Sequence, residues 1–123
     1  MIPVPSFQNL LRFDAISCGI AGVGLLLARH PLEIWTGFPA PVLFWVGIVL
    51  LPITASMALA SRSAKVSPLV AKLFVYGNCL WVVVTLPLPF LTLLPLTPLG
   101  WLLLVLQAVF VAVMAGLEWA ARP

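Results

Sequence analysis

The sequence predicts an all-α protein, an integral membrane bundle of four transmembrane helices running up-down-up-down in one domain, residues 1–123. Hydrophobic residues make up 63% of the chain and charged residues only 7%, whereas soluble domains carry about 25% charged residues. The mean hydropathy is +1.22. Four apolar segments each come close to the roughly 20 residues that a helix needs to cross a bilayer. Lipid is therefore the expected solvent for most of this chain.

The first two segments cover about residues 7–29 and 40–60. Ser6 is a suitable N-cap for the first helix, and His30-Pro31 is expected to end it, because the residue before a proline avoids the helical region. The second segment contains no charge. Pro41 suits the first turn of a helix, whereas Pro52 lies inside it and is expected to produce a kink.

The third and fourth segments cover about residues 68–86 and 98–119. Prolines mark their bounds: Pro68 and Pro98 are placed at first helical positions, and Pro87 is expected to stop the third helix. The sequence between the last two segments, "PLPFLTLLPLTP", is apolar, uncharged and rich in proline. We expect this loop to lie in the membrane interface or to dock against a partner protein through Pro87, Phe90, Leu93 and Pro95.

The basic residues around these segments predict the orientation. With four helices, both termini and the middle loop share one side of the membrane. That side carries five basic residues: Arg12, Arg62, Lys65, Lys72 and Arg122. The other side carries Arg29 alone, so the positive-inside rule predicts cytoplasmic termini.

Small residues form a stripe on the first helix. The stripe consists of Ala15, Cys18, Gly19 and Gly22, at steps of three and four. Small side chains let helix backbones approach in lipid, so the stripe is expected to pack against another helix, in this chain or in another subunit. The alternative is that it lines a cavity for a ligand.

A few polar side chains lie inside the apolar segments. Asn78 and Gln107 are placed near mid-depth of the third and fourth helices, and Thr54 lies on the second. Interhelical hydrogen bonds satisfy such groups in lipid, so we expect a polar clasp between helices. The alternative is contact with a substrate or cofactor.

Asp14 is the sharpest anomaly, since intramembrane carboxylates are rare and often functional. Lys72 is expected at similar depth on the third helix, which predicts an ion pair. The alternative is a proton-coupled site of Asp14 with Asn78, Gln107 and Glu118. The length and four helices are similar to the general plan of small multidrug transporters, which carry an acidic residue on the first helix.

The chain lacks the residues that most catalytic chemistry requires. It has one histidine, three carboxylates and two cysteines, without a phosphate-binding loop, a nucleophile elbow or a metal-ligand spacing. The sequence therefore predicts no enzyme, no metal and no cofactor. The net charge of +3 comes without the clustered basic face that nucleic-acid binding requires.

Four short stretches resemble a diffuse group of small bacterial four-helix membrane proteins. They are "LRFDAISCGIAG", "GFPAP", "GNCLWVV" and "LEWAARP". The resemblance spans nearly the whole chain and implies the same fold in a bacterial inner membrane. It implies no reaction, so no catalytic residue is carried over.

These observations favour a non-enzymatic accessory or scaffolding subunit of a larger membrane complex, for which a respiratory or photosynthetic assembly would be suitable. The expected partners are the lipid bilayer and other membrane subunits, with a homo-oligomer as a further option. The alternatives are a small proton-coupled transporter acting as an oligomer and a lipid- or pigment-binding module.

Overall fold

The computed structural model describes residues 6–123, and this part of the chain is helical throughout, with turns between the helices and no strand. The helices are α1 (Phe7–Leu27), α2 (Arg29–Thr36), α3 (Ala40–Arg62), α4 (Pro68–Thr85), α5 (Leu88–Thr92) and α6 (Pro98–Ala121). Four segments, namely α1, α3, α4 extended by α5, and α6, are long and apolar enough to cross a membrane. The predicted all-α class with four candidate spans is confirmed.

Hydroxyl side chains cap three of the long helices. Ser6 accepts a hydrogen bond from the Asn9 N–H at 3.2 Å, and Ser67 accepts one from Val70 at the same distance. Thr97 accepts one from the Gly100 N–H at 3.1 Å. These bonds satisfy N–H groups that have no partner within the helix. These three helices therefore begin where the sequence places a hydroxyl before the apolar run.

The first helix ends earlier than its proline indicates. Ala28 has non-helical dihedrals, φ −110° and ψ 18°, and α1 ends at Leu27. The chain then forms α2, a helix that the sequence did not predict. Pro31 lies in the first turn of α2, where a missing N–H leaves no bond unmade. The expectation that His30-Pro31 ends the first helix was wrong. That helix ends at Leu27, and Pro31 lies in the first turn of the next helix, a position that suits proline.

The proline-rich loop also contains a short helix. Instead of remaining irregular after Pro87, the chain forms the five-residue α5. It ends at Leu93, which adopts a left-handed conformation with φ 53°. The Phe90 ring packs against Trp101, with ring centroids 5.0 Å apart, which holds α5 close to the beginning of α6.

Two antiparallel helix pairs make up the bundle. α1 packs against α3, and α4 packs against α6, while α1 and α6 join the pairs. α1 and α4 begin, and α3 and α6 end, at the same end of the bundle. We call this the basic end because five of the six basic residues lie toward it, and we call the other the opposite end. At the opposite end α2 packs on both α3 and α6.

A buried apolar core lies toward the basic end and draws on both pairs. Its members are Phe7, Leu11, Ala15, Met57, Val66 and Ala71. Elsewhere the helices expose large apolar side chains, among them Ile20, Leu59 and Val83, each about 70% exposed. Such a surface is suited to lipid, where close packing of small residues and polar contacts hold helices together.

Candidate functional site

Three polar side chains from three helices meet near the basic end. The amide of Asn78 on α4 donates to Asp14 Oδ2 on α1 at 3.3 Å and to Glu118 Oε2 on α6 at 3.2 Å. Because they accept from the same amide nitrogen, the two carboxyl groups are close neighbours. We call these three residues the carboxyl cluster. One amide thus connects the two helix pairs.

Both carboxyl groups are buried. Asp14 is 3% exposed and Glu118 is fully buried. The second oxygen of Asp14 accepts a hydrogen bond from the Cys18 thiol at 3.5 Å. The second oxygen of Glu118 has no hydrogen-bond partner in the part of the chain that the structure describes. A buried carboxylate oxygen without a donor is costly, which marks Glu118 as the incompletely satisfied member.

The geometry of the helices explains why these residues meet. Asn78 lies about 15 Å along α4 from Pro68, and Glu118 only about 5 Å from the end of α6, at 1.5 Å per residue. Side chains lean toward the N-terminus of their own helix. Asn78 therefore leans toward the basic end and Glu118 leans away from it, which closes the difference in depth.

The predicted ion pair between Asp14 and Lys72 is wrong. Within residues 6–123, the hydrogen-bond partners of the Asp14 carboxyl group are Asn78 and Cys18, whereas Lys72 is exposed. Lys72 follows the fully buried Ala71 and lies about 100° around the helix from it. Equal depth on the two helices did not bring the two charges together, because Lys72 is exposed on α4 whereas Asp14 is buried.

The other nearby cation is also engaged elsewhere. Arg12 donates to Asn9 Oδ1 at 3.1 Å and to the Ser61 carbonyl oxygen at 3.3 Å. Arg12 therefore connects α1 to the end of α3 and leaves the carboxyl cluster without a positive charge from this side chain.

Gln107 forms a separate polar contact between α4 and α6. The Trp81 indole N–H donates to Gln107 Oε1 at 2.9 Å, and Gln107 Nε2 donates to Thr85 Oγ1 at 3.2 Å. The polar clasp expected from Asn78, Gln107 and Thr54 is therefore divided. Asn78 binds the carboxyl groups, Gln107 binds Trp81 and Thr85, and the Thr54 hydroxyl has no hydrogen-bond partner among the described residues.

Two glycines of the small-residue stripe on α1, Gly19 and Gly22, lie along α3. A Cβ atom added to Gly19 would lie 3.2 Å from Thr54 Cγ2, and one added to Gly22 would lie 3.2 Å from Leu50 Cβ. From the other side, a Cβ added to Gly47 would lie 2.9 Å from the Gly22 carbonyl oxygen. The glycines thus permit close backbone approach within this chain.

The candidate docking loop is largely exposed. Phe90 is 68% exposed and Leu93 86% exposed, and Pro87 and Pro95 are exposed as well. None of these side chains approaches the carboxyl cluster, which lies toward the other end of the bundle. The loop and the cluster are therefore separate features.

The arrangement restricts the chemistry that the cluster can perform. Among residues 6–123 no group of three histidine, cysteine or acidic side chains is placed to hold a metal ion. Two carboxyl groups and one amide can bind and release a proton. All three residues were predicted as members of one candidate site, but that prediction also included Gln107, which lies outside the carboxyl cluster.

Comparison of the chain with family models, curated proteins and solved structures gives no match.

Proposed function

We propose that this protein is a small, non-enzymatic, proton-coupled membrane transporter that works as an oligomer. The observation that carries the proposal is the pair of buried carboxyl groups, Asp14 and Glu118, sharing a single neutral donor. The structure gives Lys72 and Arg12 other environments, which removes the reason to prefer a structural ion pair for Asp14.

The energetics favour a proton as the ligand. Placing an ionised carboxylate in a low-dielectric region costs several kcal/mol unless a cation offsets it. Two buried carboxyl groups that accept from one amide favour a state with a single proton between them, because two adjacent negative charges repel each other. Intramembrane carboxyl groups of this kind occur in proton relays of pumps and transporters. The cluster therefore suits reversible protonation.

An oligomer is proposed because a single chain offers outward-facing grooves. One open apolar depression lies between α1 and α3 around Gly19 and Val23, and another lies between α4 and α6 around Cys79 and Gly116. A path enclosed by protein would form when such surfaces face each other in two or more copies.

The proposed setting is a bacterial inner membrane with the basic end in the cytoplasm, as the positive-inside rule predicts. A reporter that is active only in the periplasm should be silent when fused after Pro123 and active when inserted near Glu33. The reverse pattern would mean that the basic end, and with it the carboxyl cluster, lies toward the periplasm.

Proton movement in liposomes tests the transport proposal. The purified protein is reconstituted with a pH-sensitive dye inside the vesicles, and a panel of organic cations, organic anions and neutral solutes is added in turn. We expect one class of solute to drive proton movement in the wild type. Asp14→Asn and Glu118→Gln should abolish it while retaining the helical circular dichroism spectrum.

The control is Glu33→Gln, which changes the remaining carboxylate at the opposite end. This variant should transport as the wild type does. Proton movement that persists in both cluster variants, or a wild type that moves no protons with any solute class, overturns the proposal.

The second candidate function is an accessory subunit of a larger membrane complex. It is favoured by the exposed apolar loop, in which Phe90, Leu91 and Leu93 are all more than two-thirds exposed. Native electrophoresis in mild detergent, at the natural level of expression, discriminates the two. A band containing only this chain contradicts the accessory role and leaves the transporter proposal standing.

A further inference from the structure

The two helix pairs are joined differently at their two ends. At the opposite end the Thr97 N–H donates to the Thr36 carbonyl oxygen at 3.0 Å, and the Thr97 hydroxyl donates to the Trp35 carbonyl oxygen at 2.5 Å. Gly100 lies directly against the Thr36 backbone, so that a Cβ atom there would overlap its carbonyl oxygen. We call these contacts the threonine junction. No titratable group takes part in them.

At the basic end, the polar connection between the pairs is the carboxyl cluster. Asp14 belongs to the α1–α3 pair, and Asn78 and Glu118 belong to the α4–α6 pair. The apolar core also spans both pairs at this end. In lipid, however, apolar contacts between helices provide little drive compared with exposure to acyl chains. A change of charge within the polar contacts therefore acts against packing alone at this end.

We propose that one proton shared between Asp14 and Glu118 holds the two helix pairs together at the basic end, and that its release lets this end open about the threonine junction. The inference deepens the proposed function by naming how the same site controls the conformation. It rests on proton binding by the cluster and does not require a particular solute.

The proton balance of the step is simple. In the closed state one carboxyl group is protonated, the other is ionised, and the Asn78 amide donates to both. On release the proton passes to water at the basic end and two carboxylates remain. They face each other across the α1–α6 contact in a region of low dielectric, where repulsion between like charges is strong.

The basic side chains described near this end do not offset a second negative charge in the cluster. On α3 and the segment after it, Arg62 and Lys65 are exposed. On α1, Cys18 is a weak neutral donor to Asp14, and Arg12 extends toward Ser61 of α3. On α4, Lys72 and Tyr76 are exposed. On α6, Arg122 stacks on the Trp119 ring at 3.6 Å. Because Glu118 Oε1 also lacks a donor, the doubly ionised pair is expected to separate and take up water.

Distances between spin labels on the full chain test this inference. The background carries Cys18→Ser, which keeps a donor to Asp14, and Cys79→Ser. One label pair spans the basic end through Ser63→Cys on the segment after α3 and Ala120→Cys on α6. A second pair spans the opposite end through Ile34→Cys on α2 and Leu99→Cys on α6. All four positions are exposed.

The basic-end distance should increase by an amount on the order of a few Å when the pH is raised from acidic to alkaline values, a size typical of helix shifts. The distance at the opposite end should remain constant. With Asp14→Asn and Glu118→Gln together, the basic-end distance should stay at its acidic value at every pH. If that variant does not fold, Glu118→Gln alone serves, because a single carboxylate has no like charge to repel.

A basic-end distance that does not change with pH overturns the inference, as does a change that persists without the two carboxyl groups. The outcome is independent of the transport assay. Opening with pH but no solute-dependent proton movement would retain this control of conformation and reject transport. Proton-coupled transport without opening would retain the transport proposal and reject this control of conformation.

Discussion

The threonine junction and the carboxyl cluster connect the same two helix pairs by different chemistry, the junction through α2, which links α1 to α3. The junction uses backbone carbonyl groups, a hydroxyl and the absence of a side chain at Gly100. The cluster uses side chains alone, two of them ionisable. Backbone contacts of this kind have a single arrangement, whereas a carboxyl pair has states that differ by one proton. The difference indicates which end is fixed and which end can respond to its surroundings.

The largest expected effect is at the threonine junction. Gly100→Ala places a Cβ atom where the Thr36 carbonyl oxygen lies. Relieving this overlap requires α6 to move away from α2, and overpacking of this kind costs about 1–3 kcal/mol or more. We expect a marked fall in thermal stability in detergent, followed by circular dichroism.

Gly116→Ala on the same helix is the matched control, because its added Cβ would meet no atom within 4 Å. This change should be neutral or slightly stabilising, since alanine is the better helix former. If both alanine variants unfold at the same temperature, the close approach at the junction is not present.

The next effect concerns the shared donor of the carboxyl cluster. Asn78→Leu leaves two buried carboxyl groups without their common amide. An unsatisfied buried polar group costs about 1–3 kcal/mol, so the loss should exceed the roughly 0.6 kcal/mol typical of one hydrogen bond between membrane helices. Urea or thermal unfolding in detergent measures the difference.

Two controls make this prediction specific. Cys79→Leu adds the same side chain at an exposed position of α4 and should be nearly neutral. In a background of Asp14→Asn and Glu118→Gln, Asn78→Leu should cost less, because coupled residues give non-additive effects. Equal costs in both backgrounds would show that Asn78 does not serve the carboxyl groups.

The fold followed from local signals in the sequence. Ser6 and the prolines at positions 68 and 98 mark helix starts through chemistry confined to one turn, and the apolar segments give the class by composition. The break at Ala28 was missed because it has no such signal, and Pro31 indicated a helix end where it lies in a helix start.

The candidate site was only partly predictable, because it depends on how helices are rotated against each other. Asp14, Asn78 and Glu118 stand out individually as polar residues in apolar segments. Depth alone selected Lys72 as the partner of Asp14.

The periodicity of α4 indicates a different partner. Ala71, Val75 and Asn78 follow steps of four and three, which place them on one face, and Lys72 is not on that face. The division between Asn78 and Gln107 depends on the pairing of α4 with α6, which no local pattern encodes.

The smallest expected effect compares two threonines and sharpens the contrast between satisfied and unsatisfied polar groups. Thr85→Val removes the hydroxyl that accepts a hydrogen bond from Gln107 Nε2 at 3.2 Å, which should cost about 0.6 kcal/mol, the average for such bonds in membrane proteins. Thr54→Val removes a buried hydroxyl that has no partner among residues 6–123. Valine keeps the shape of the side chain and its contact with Gly19, so this change should be neutral or slightly stabilising, because it removes a polar group that burial penalises.

Thermal unfolding of both variants in the same detergent measures the two effects. A loss at Thr54 as large as that at Thr85 would mean that the Thr54 hydroxyl has a partner, such as a water molecule, and that the α1–α3 contact is polar where the structure shows it to be apolar.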